Sequence, residues 1–312
     1  TSPEISQMFG ELIGLWCIDI WNKMGSPASL HLVEIGPGKG TLMRDAINAS
    51  AVMPKFQKSI QLHLVETSPV LRARQRSALS DVQVTWHTNF YEVPDGPMII
   101  IANELFDALP IHQFQRTAAA WQERLVDIEI NSDQFKLVLG PVSGAFATVS
   151  KELKESPIGS VVEVSPDSIN LMHTISSRIL TRGGAALIID YGSITNRPRD
   201  TLQGVVRHNT HNVFQDPGKV DLSAHVDFET LGYVAEQIGA AVWGPELQGA
   251  FLQSIGIQAR AAQLKKSATP NQAKDIDSAL ERLINPGQMG TLFKVLAVTS
   301  PEIQDPAGFQ TQ

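Results

Sequence analysis

Between residues 30 and 101, short apolar runs alternate with amphipathic stretches. LHLVEI (30–35), LHLVE (62–66), VQVTWH (82–87) and MIIIAN (98–103) each read as a strand. Residues 41–49, and a segment opened by Ser68-Pro69 and running to Leu79, read as helices. Strands that are apolar without interruption are buried on both faces, so this βαβα order predicts a parallel sheet covered on both sides. Upstream, Ser2-Pro3-Glu4 has the form of a cap and first turn, predicting one helix to about Lys23.

The pattern changes after residue 110. IHQFQR, WQERLVDIEI and FKLVLG alternate with period two, and NSDQ supplies a turn, so residues 111–164 contain an inserted β-meander. VEVSP is expected to resume the parallel pattern, with Ser165-Pro166 opening a helix to about Gly183 and AALIID (185–190) forming the next strand. A second insertion, residues 193–240, begins with a stretch to about 224 rich in Asn, Arg, His and Gly. That stretch reads as a long loop over the sheet edge, and a helix in HVDFETLGYVAEQIG follows it. A strand near 241–243, helices near 250–255 and 271–283, and the strand in TLFKVLAVTS complete one domain spanning residues 1–312.

Composition narrows the function. The 43% hydrophobic content suits a globular core, and no apolar run is long enough to cross a bilayer. A net charge of −7 with scattered Lys and Arg argues against a nucleic-acid groove. The one cysteine, Cys17, rules out an internal disulfide, suits a reducing compartment and sits in an apolar run as a core residue. His208 and His211 have no Cys or carboxylate at ligand spacing, so no metal is expected. The chain opens directly on a helix cap without Met, and further residues are expected upstream of it.

VEIGPGKGT (33–41) carries the candidate chemistry. A P-loop needs Lys followed by Ser or Thr after its last glycine, but here Lys39 precedes Gly40. A dinucleotide fingerprint would place its third glycine where Thr41 stands, and it has no use for the Glu34 carboxylate beside a pyrophosphate. S-adenosylmethionine has no phosphates and fits better. Glu34 can bind its ammonium, while Gly36, Gly38 and Gly40 let the backbone approach and the helix starting at Thr41 favours its carboxylate. Glu66 ends the second strand, placed for the ribose hydroxyls, with Asn89 for the adenine edge and Phe90 to stack on the base.

The acceptor side begins at NELFDALP (103–110), where Asn103, Glu104 and Asp107 stand at the carboxyl edge of the fourth strand. Taken with TSPEISQMFGELIG, VEIGPGKGTL, LHLVETSP, GGAALIIDYG, DLSAHVDFETL and GQMGTLFKVL, this stretch closely resembles the MidA-like methyltransferases over nearly the whole chain. The resemblance implies a class I S-adenosylmethionine-dependent methyltransferase fold, an α/β Rossmann-like, mostly parallel seven-stranded sheet with helices on both faces, elaborated by insertions. It implies protein arginine methylation, with symmetric dimethylation of a respiratory complex I core subunit in the mitochondrial members. A methyltransferase with another acceptor, or a non-enzymatic assembly factor, remains the alternative. The compartment would be the mitochondrial matrix in a eukaryote and the cytoplasm in a bacterium, and a homodimer is compatible with either.

A guanidinium is always protonated at neutral pH, so its methylation needs carboxylates that orient the fork and receive a proton. Glu104 and Asp107 are placed for this, with Asn103 beside them. Glu4, Asp190, Tyr191 and His225 are the further acceptor-side candidates.

Overall fold

The computed structural model describes residues 1–132, 134–142, 155–195, 197–206 and 209–309. In place of one long first helix the chain forms α1 (Ser2–Ile5) and α2 (Gln7–Lys23). Ser6 between them is extended, and its hydroxyl accepts the Met8 N–H, so it caps the second helix instead of continuing the first. The break brings Pro3 and Glu4 over the glycine loop.

β1 (Leu30–Ile35) runs into that loop and α3 (Thr41–Ala49). A short α4 (Pro54–Ser59), which the hydrophobic pattern does not announce, precedes β2 (Ile60–Val65). Then come α5 (Pro69–Ala78), capped by the Ser68 hydroxyl, β3 (Val84–His87) and β4 (Met98–Asn103). The meander forms as expected from β5 (His112–Arg116), β6 (Trp121–Ile128) and β7 (Phe135–Val142).

Two expectations about the insertions are corrected. β8 (Val161–Val164) does not resume the parallel sheet; it pairs antiparallel with β5, because Phe114, Trp121 and Val162 bury one another in a small core of their own. After α6 (Pro166–Arg182) and β9 (Gly184–Ser193), the supposed loop contains β10 (Gln203–Val206), β11 (Asn209–His211) and β12 (Asp221–Ser223) in a three-stranded sheet. β13 (Val226–Asp227) pairs with the end of β9 and leads into α7 (Phe228–Ile238) and β14 (Ala241–Leu247). Helices α8 (Gln248–Ser254), α9 (Ile257–Lys265), α10 (Pro270–Ile284) and α11 (Met289–Leu292) precede β15 (Phe293–Thr299).

The main sheet has the order β14-β15-β9-β4-β1-β2-β3, with β15 antiparallel to both neighbours. The remaining strands share one direction, so the loops after β1, β2, β3, β4 and β9 gather on one edge. Strand order reverses between β1 and β4, and a crevice opens there. On one face α2 and α3 pack closely; a Cβ on Gly14 would lie 2.5 Å from the Ala46 carbonyl oxygen, so glycine sets the approach of the helix that follows the glycine loop. Cys17 is buried in this layer as expected, and burial pushes its thiol pKa up. The opposite face buries Val33, Ile100, Ile188 and Phe228 against α6 and α7.

Three histidines cross that second face on the diagonal of the parallel register. His31 Nδ1 lies 2.9 Å from His63 Nε2, and His63 Nδ1 lies 2.9 Å from His87 Nε2. His31 also bonds the Asp95 carbonyl, which can only accept, so each ring in turn donates from Nε2 and accepts at Nδ1. The series requires neutral rings. Burial lowers all three pKa values, and that of His63, which also faces both neighbours, falls to about 4. Arg178 disfavours added charge on all three rings and Arg72 on His87, while Asp95 favours it at His31 and Glu92, the largest charge effect there, favours it at His87. A base whose folded pKa is lowered supports folding above its unfolded pKa and loses that contribution as pH falls. Between pH 6.5 and 4 the His63 contribution, read as parent minus His63→Gln, should therefore fall by about 1–3 kcal/mol in denaturant titrations. Nitrogen-15 spectra showing His63 titrating near its ordinary value would overturn the assignment.

Candidate functional site

The glycine loop and the first four residues enclose a cavity of about 110 Å³ lined by Glu34, Gly36, Gly38, Thr41, Asn103 and Glu104, with Pro3 and Glu4 above. Gly40 caps α3 in the left-handed region (φ 81°), which a β-carbon would strain. At the rim Lys39 Nζ donates to Glu4 Oε2 at 2.7 Å, an exposed pair worth little to stability. Glu4 thus belongs to the roof of this cavity.

Two buried acceptors in the cavity wall have no partner: Glu34 Oε2 and Asn103 Oδ1. The Asn103 amide nitrogen donates to Glu104 Oε1 at 3.2 Å, which leaves its oxygen free to accept. Burial alone raises the Glu34 carboxyl to a pKa of about 8. A buried acceptor without a donor costs stability, and two on one cavity call for a compact multivalent donor. An ammonium group meets that requirement, with three N–H bonds and a charge that would return Glu34 to its ionised form. These residues fit the amino-acid end of S-adenosylmethionine.

At the end of β2, Glu66 is held from two sides. Its Oε1 accepts the Ser68 N–H at 2.8 Å and its Oε2 the Gln75 amide at 3.2 Å. Gln75, fully buried on α5, also donates to the Gly38 carbonyl at 2.8 Å and accepts from Trp86 Nε1 at 3.0 Å. It joins the glycine loop to the carboxylate meant for the ribose. Sequence reasoning missed it; the available signal was a glutamine on the buried side of an otherwise polar helix.

The loop after β3 places its two candidates differently from expectation. Asn89 donates to Glu92 Oε1 at 2.8 Å on the surface. Phe90 is buried among Val33, Val65 and Met98, with the Arg178 guanidinium 4.8 Å over its ring. The side chain expected to stack on adenine packs instead as a core residue, because burial of its ring outweighs exposure at the edge.

The loop after β4 is shaped by Asp190, which is fully buried. Its Oδ2 accepts the N–H groups of Leu105, Phe106 and Asp107 at 3.0, 2.8 and 3.3 Å, and its Oδ1 accepts that of Tyr191. Burial, and after it the Asp107 carboxyl, push its pKa up, while the N–H donors oppose both. Asp190 therefore does not line an acceptor pocket; it builds the loop beneath it. Glu104, in the left-handed region (φ 51°), accepts the Ser2 N–H on Oε1 at 3.0 Å, so the first helix is pinned to this loop. The Asp107 pKa rises to about 6, through burial first and the Glu104 charge second.

Tyr191 stands edge-on to His225 with ring centroids 4.2 Å apart. His225 Nδ1 is buried without a partner, and burial holds the ring below the usual histidine pKa. His211 pairs with Asp216, His208 lies outside the described residues, and no metal-binding cluster occurs among the described residues.

Because Glu34 must ionise to meet an ammonium, affinity for S-adenosylhomocysteine should rise about tenfold per pH unit below 8, with nearly one proton released. Calorimetry at pH 6.5 and 7.5 reads both quantities, and equal affinity at the two values would exclude the pairing. Gln75→Leu, which frees Glu66 from its inner partner, should weaken the same ligand by about 1–2 kcal/mol.

Comparison with known proteins agrees with this geometry. Residues 12–246 match the model of a family described as S-adenosyl-L-methionine-dependent methyltransferase. The Drosophila melanogaster protein named protein arginine methyltransferase NDUFAF7 homolog, mitochondrial, is 37% identical over 96% of this chain and 74% of its own length. The Homo sapiens protein of that name is 35% identical over 96% and 72%. A Burkholderia thailandensis protein crystallised with S-adenosylhomocysteine superposes with a TM-score of 0.82 at 26% identity, covering 99% of this chain and 80% of that one. With the sheet order, the family match over most of the chain and these relatives, the chain belongs to the S-adenosylmethionine-dependent methyltransferases of class I fold.

Proposed function

We propose that this methyltransferase modifies arginine side chains of a protein. The observation that carries the reading is the pair of carboxylates beside the cofactor cavity: Glu104 in its wall and Asp107 on the same loop, where the Glu104 charge adds to burial in raising the Asp107 pKa. Two acidic side chains on one loop, with the Glu4–Lys39 pair beside them, suit a cationic fork. The names of the fly and human relatives support the same acceptor. Those relatives are named as mitochondrial; the sequence resemblance points to a respiratory complex I core subunit as the acceptor, in the matrix if the source is a eukaryote and in the cytoplasm if it is a bacterium.

S-adenosylmethionine, when bound, supplies an electrophilic methyl group on a sulfonium. Glu34 and Asn103 would hold its ammonium, the loop amides before α3 its carboxylate, and Glu66 its ribose. Glu104 binds Ser2 and Asn103 through Oε1, which fixes the carboxylate and leaves Oε2 to orient a guanidinium. Asp107, with its pKa near 6, is ionised at pH 7 yet basic enough to receive the proton released as the nitrogen lone pair turns to the methyl group.

Glu104→Gln keeps the acceptor for Ser2 while removing the charge. It should lower turnover on an arginine acceptor by about 100-fold and leave S-adenosylhomocysteine affinity nearly unchanged. The assay uses labelled cofactor and the proteome of the source organism, followed by mapping of the modified residue. Methyl groups found only on lysine, carboxylates or small molecules would overturn the arginine assignment.

No helix among the described residues is long and apolar enough to cross a membrane.

A further inference from the structure

A second cavity, about 210 Å³ and so larger than the one at the glycine loop, lies between β8, the first turn of α6 and the first turn of α7. Its walls are mainly apolar, with Phe106, Val162, Ile169 and Leu231 prominent. The polar side chains on it are nearly all engaged. Glu163 accepts from Gln113, Thr201 and Leu202; Asp227 caps α7 through Thr230; Ser165 caps α6 and bonds the Pro110 carbonyl. The exception is His225, which lines the cavity and has Nδ1 buried without a partner.

This cavity is continuous with the methyl-transfer loop. Phe106, in its wall, is the residue between Leu105 and Asp107 whose N–H groups Asp190 gathers. Ala224, next to His225, donates its N–H to the Asp107 carbonyl at 3.0 Å, and Tyr191 braces the His225 ring. On the arginine reading, an acceptor held at Asp107 has beside it, through Phe106 and Ala224, an apolar recess walled in part by His225, whose Nδ1 has no partner. Such a recess suits a side chain with an apolar body and a polar tip, the chemistry of tyrosine and tryptophan. The neutral imidazole accepts from a hydroxyl or indole N–H, and the walls bury the ring.

Resting on the arginine reading, we infer that this recess is a specificity pocket for an aromatic, donor-bearing side chain of the acceptor polypeptide, at a fixed offset from the methylated arginine, with His225 as its polar contact.

The test uses the full chain and peptide pools with one fixed arginine and randomised flanks, read by mass spectrometry. The expected result is enrichment of tyrosine or tryptophan over phenylalanine at one offset by about fivefold, the worth of one neutral hydrogen bond. His225→Phe should erase the tyrosine-over-phenylalanine preference and retain that for aromatics. Val164→Trp, which fills the recess, should erase both, with S-adenosylhomocysteine affinity unchanged in each variant. Calorimetric binding of the enriched peptide to the protein loaded with S-adenosylhomocysteine should follow the same order, independent of turnover. Arginine methylation without any aromatic preference, or a preference that survives both variants, would overturn the pocket alone. Absence of methylated arginine from every pool would overturn the arginine reading and the pocket with it.

Discussion

One buried carboxylate organises the chemistry of this protein. Asp190, in the last half of β9, takes the N–H groups of three successive residues on the neighbouring loop as well as that of Tyr191. Backbone donors turned toward one point bend the chain after β4, and Glu104 tolerates a left-handed backbone there. From that bend follow the direction of the Glu104 carboxylate, its hold on Ser2 and the setting of Asp107. A carboxylate in this position is costly to bury, and its bonds to the backbone offset that cost only in this loop conformation. Loop and carboxylate therefore stabilise each other.

The cofactor side follows another logic, in which polar groups are deliberately left short of partners. Glu34 and Asn103 face the cavity with free acceptors, while Glu66 is fastened by Ser68 and Gln75. On the proposed reading the first pair would select for a cation, while Glu66, already fastened, would lose little conformational entropy on binding a ribose. Gln75 links the glycine loop to Glu66, since it donates to both the Gly38 carbonyl and that carboxylate.

The insertions supply the other wall. The meander sheet ends in β8 beside α6, and the short three-stranded sheet delivers Ala224 and His225 to the loop that Asp190 shapes. Neither element lines the cavity at the glycine loop, and both stand beside the loop proposed to meet the acceptor. This division matches the general behaviour of α/β enzymes, in which the sheet edge carries the shared chemistry and inserted segments carry selectivity.

Strand pattern and motif spacing were enough to read the parallel sheet, the identity of the cofactor and the acidic stretch at 103–107, because those features are local: an apolar run, a glycine turn, a carboxylate at a strand end. Roles that depend on what lies across the sheet were not legible. Asp190 and Phe90 lie toward the same sheet edge as Glu34 and Glu66, yet one builds a loop and the other joins the core, since their surroundings come from distant segments. The pairing of β8 with β5, the partnership of Gln75, the three aligned histidines and the recess at His225 likewise arise from contacts between residues far apart in the chain. The sequence by itself determined which groups could do chemistry at the sheet edge; tertiary packing decided which of them remain free to do it, because burial and hydrogen-bond partners belong to the assembled layers and to no single stretch of chain.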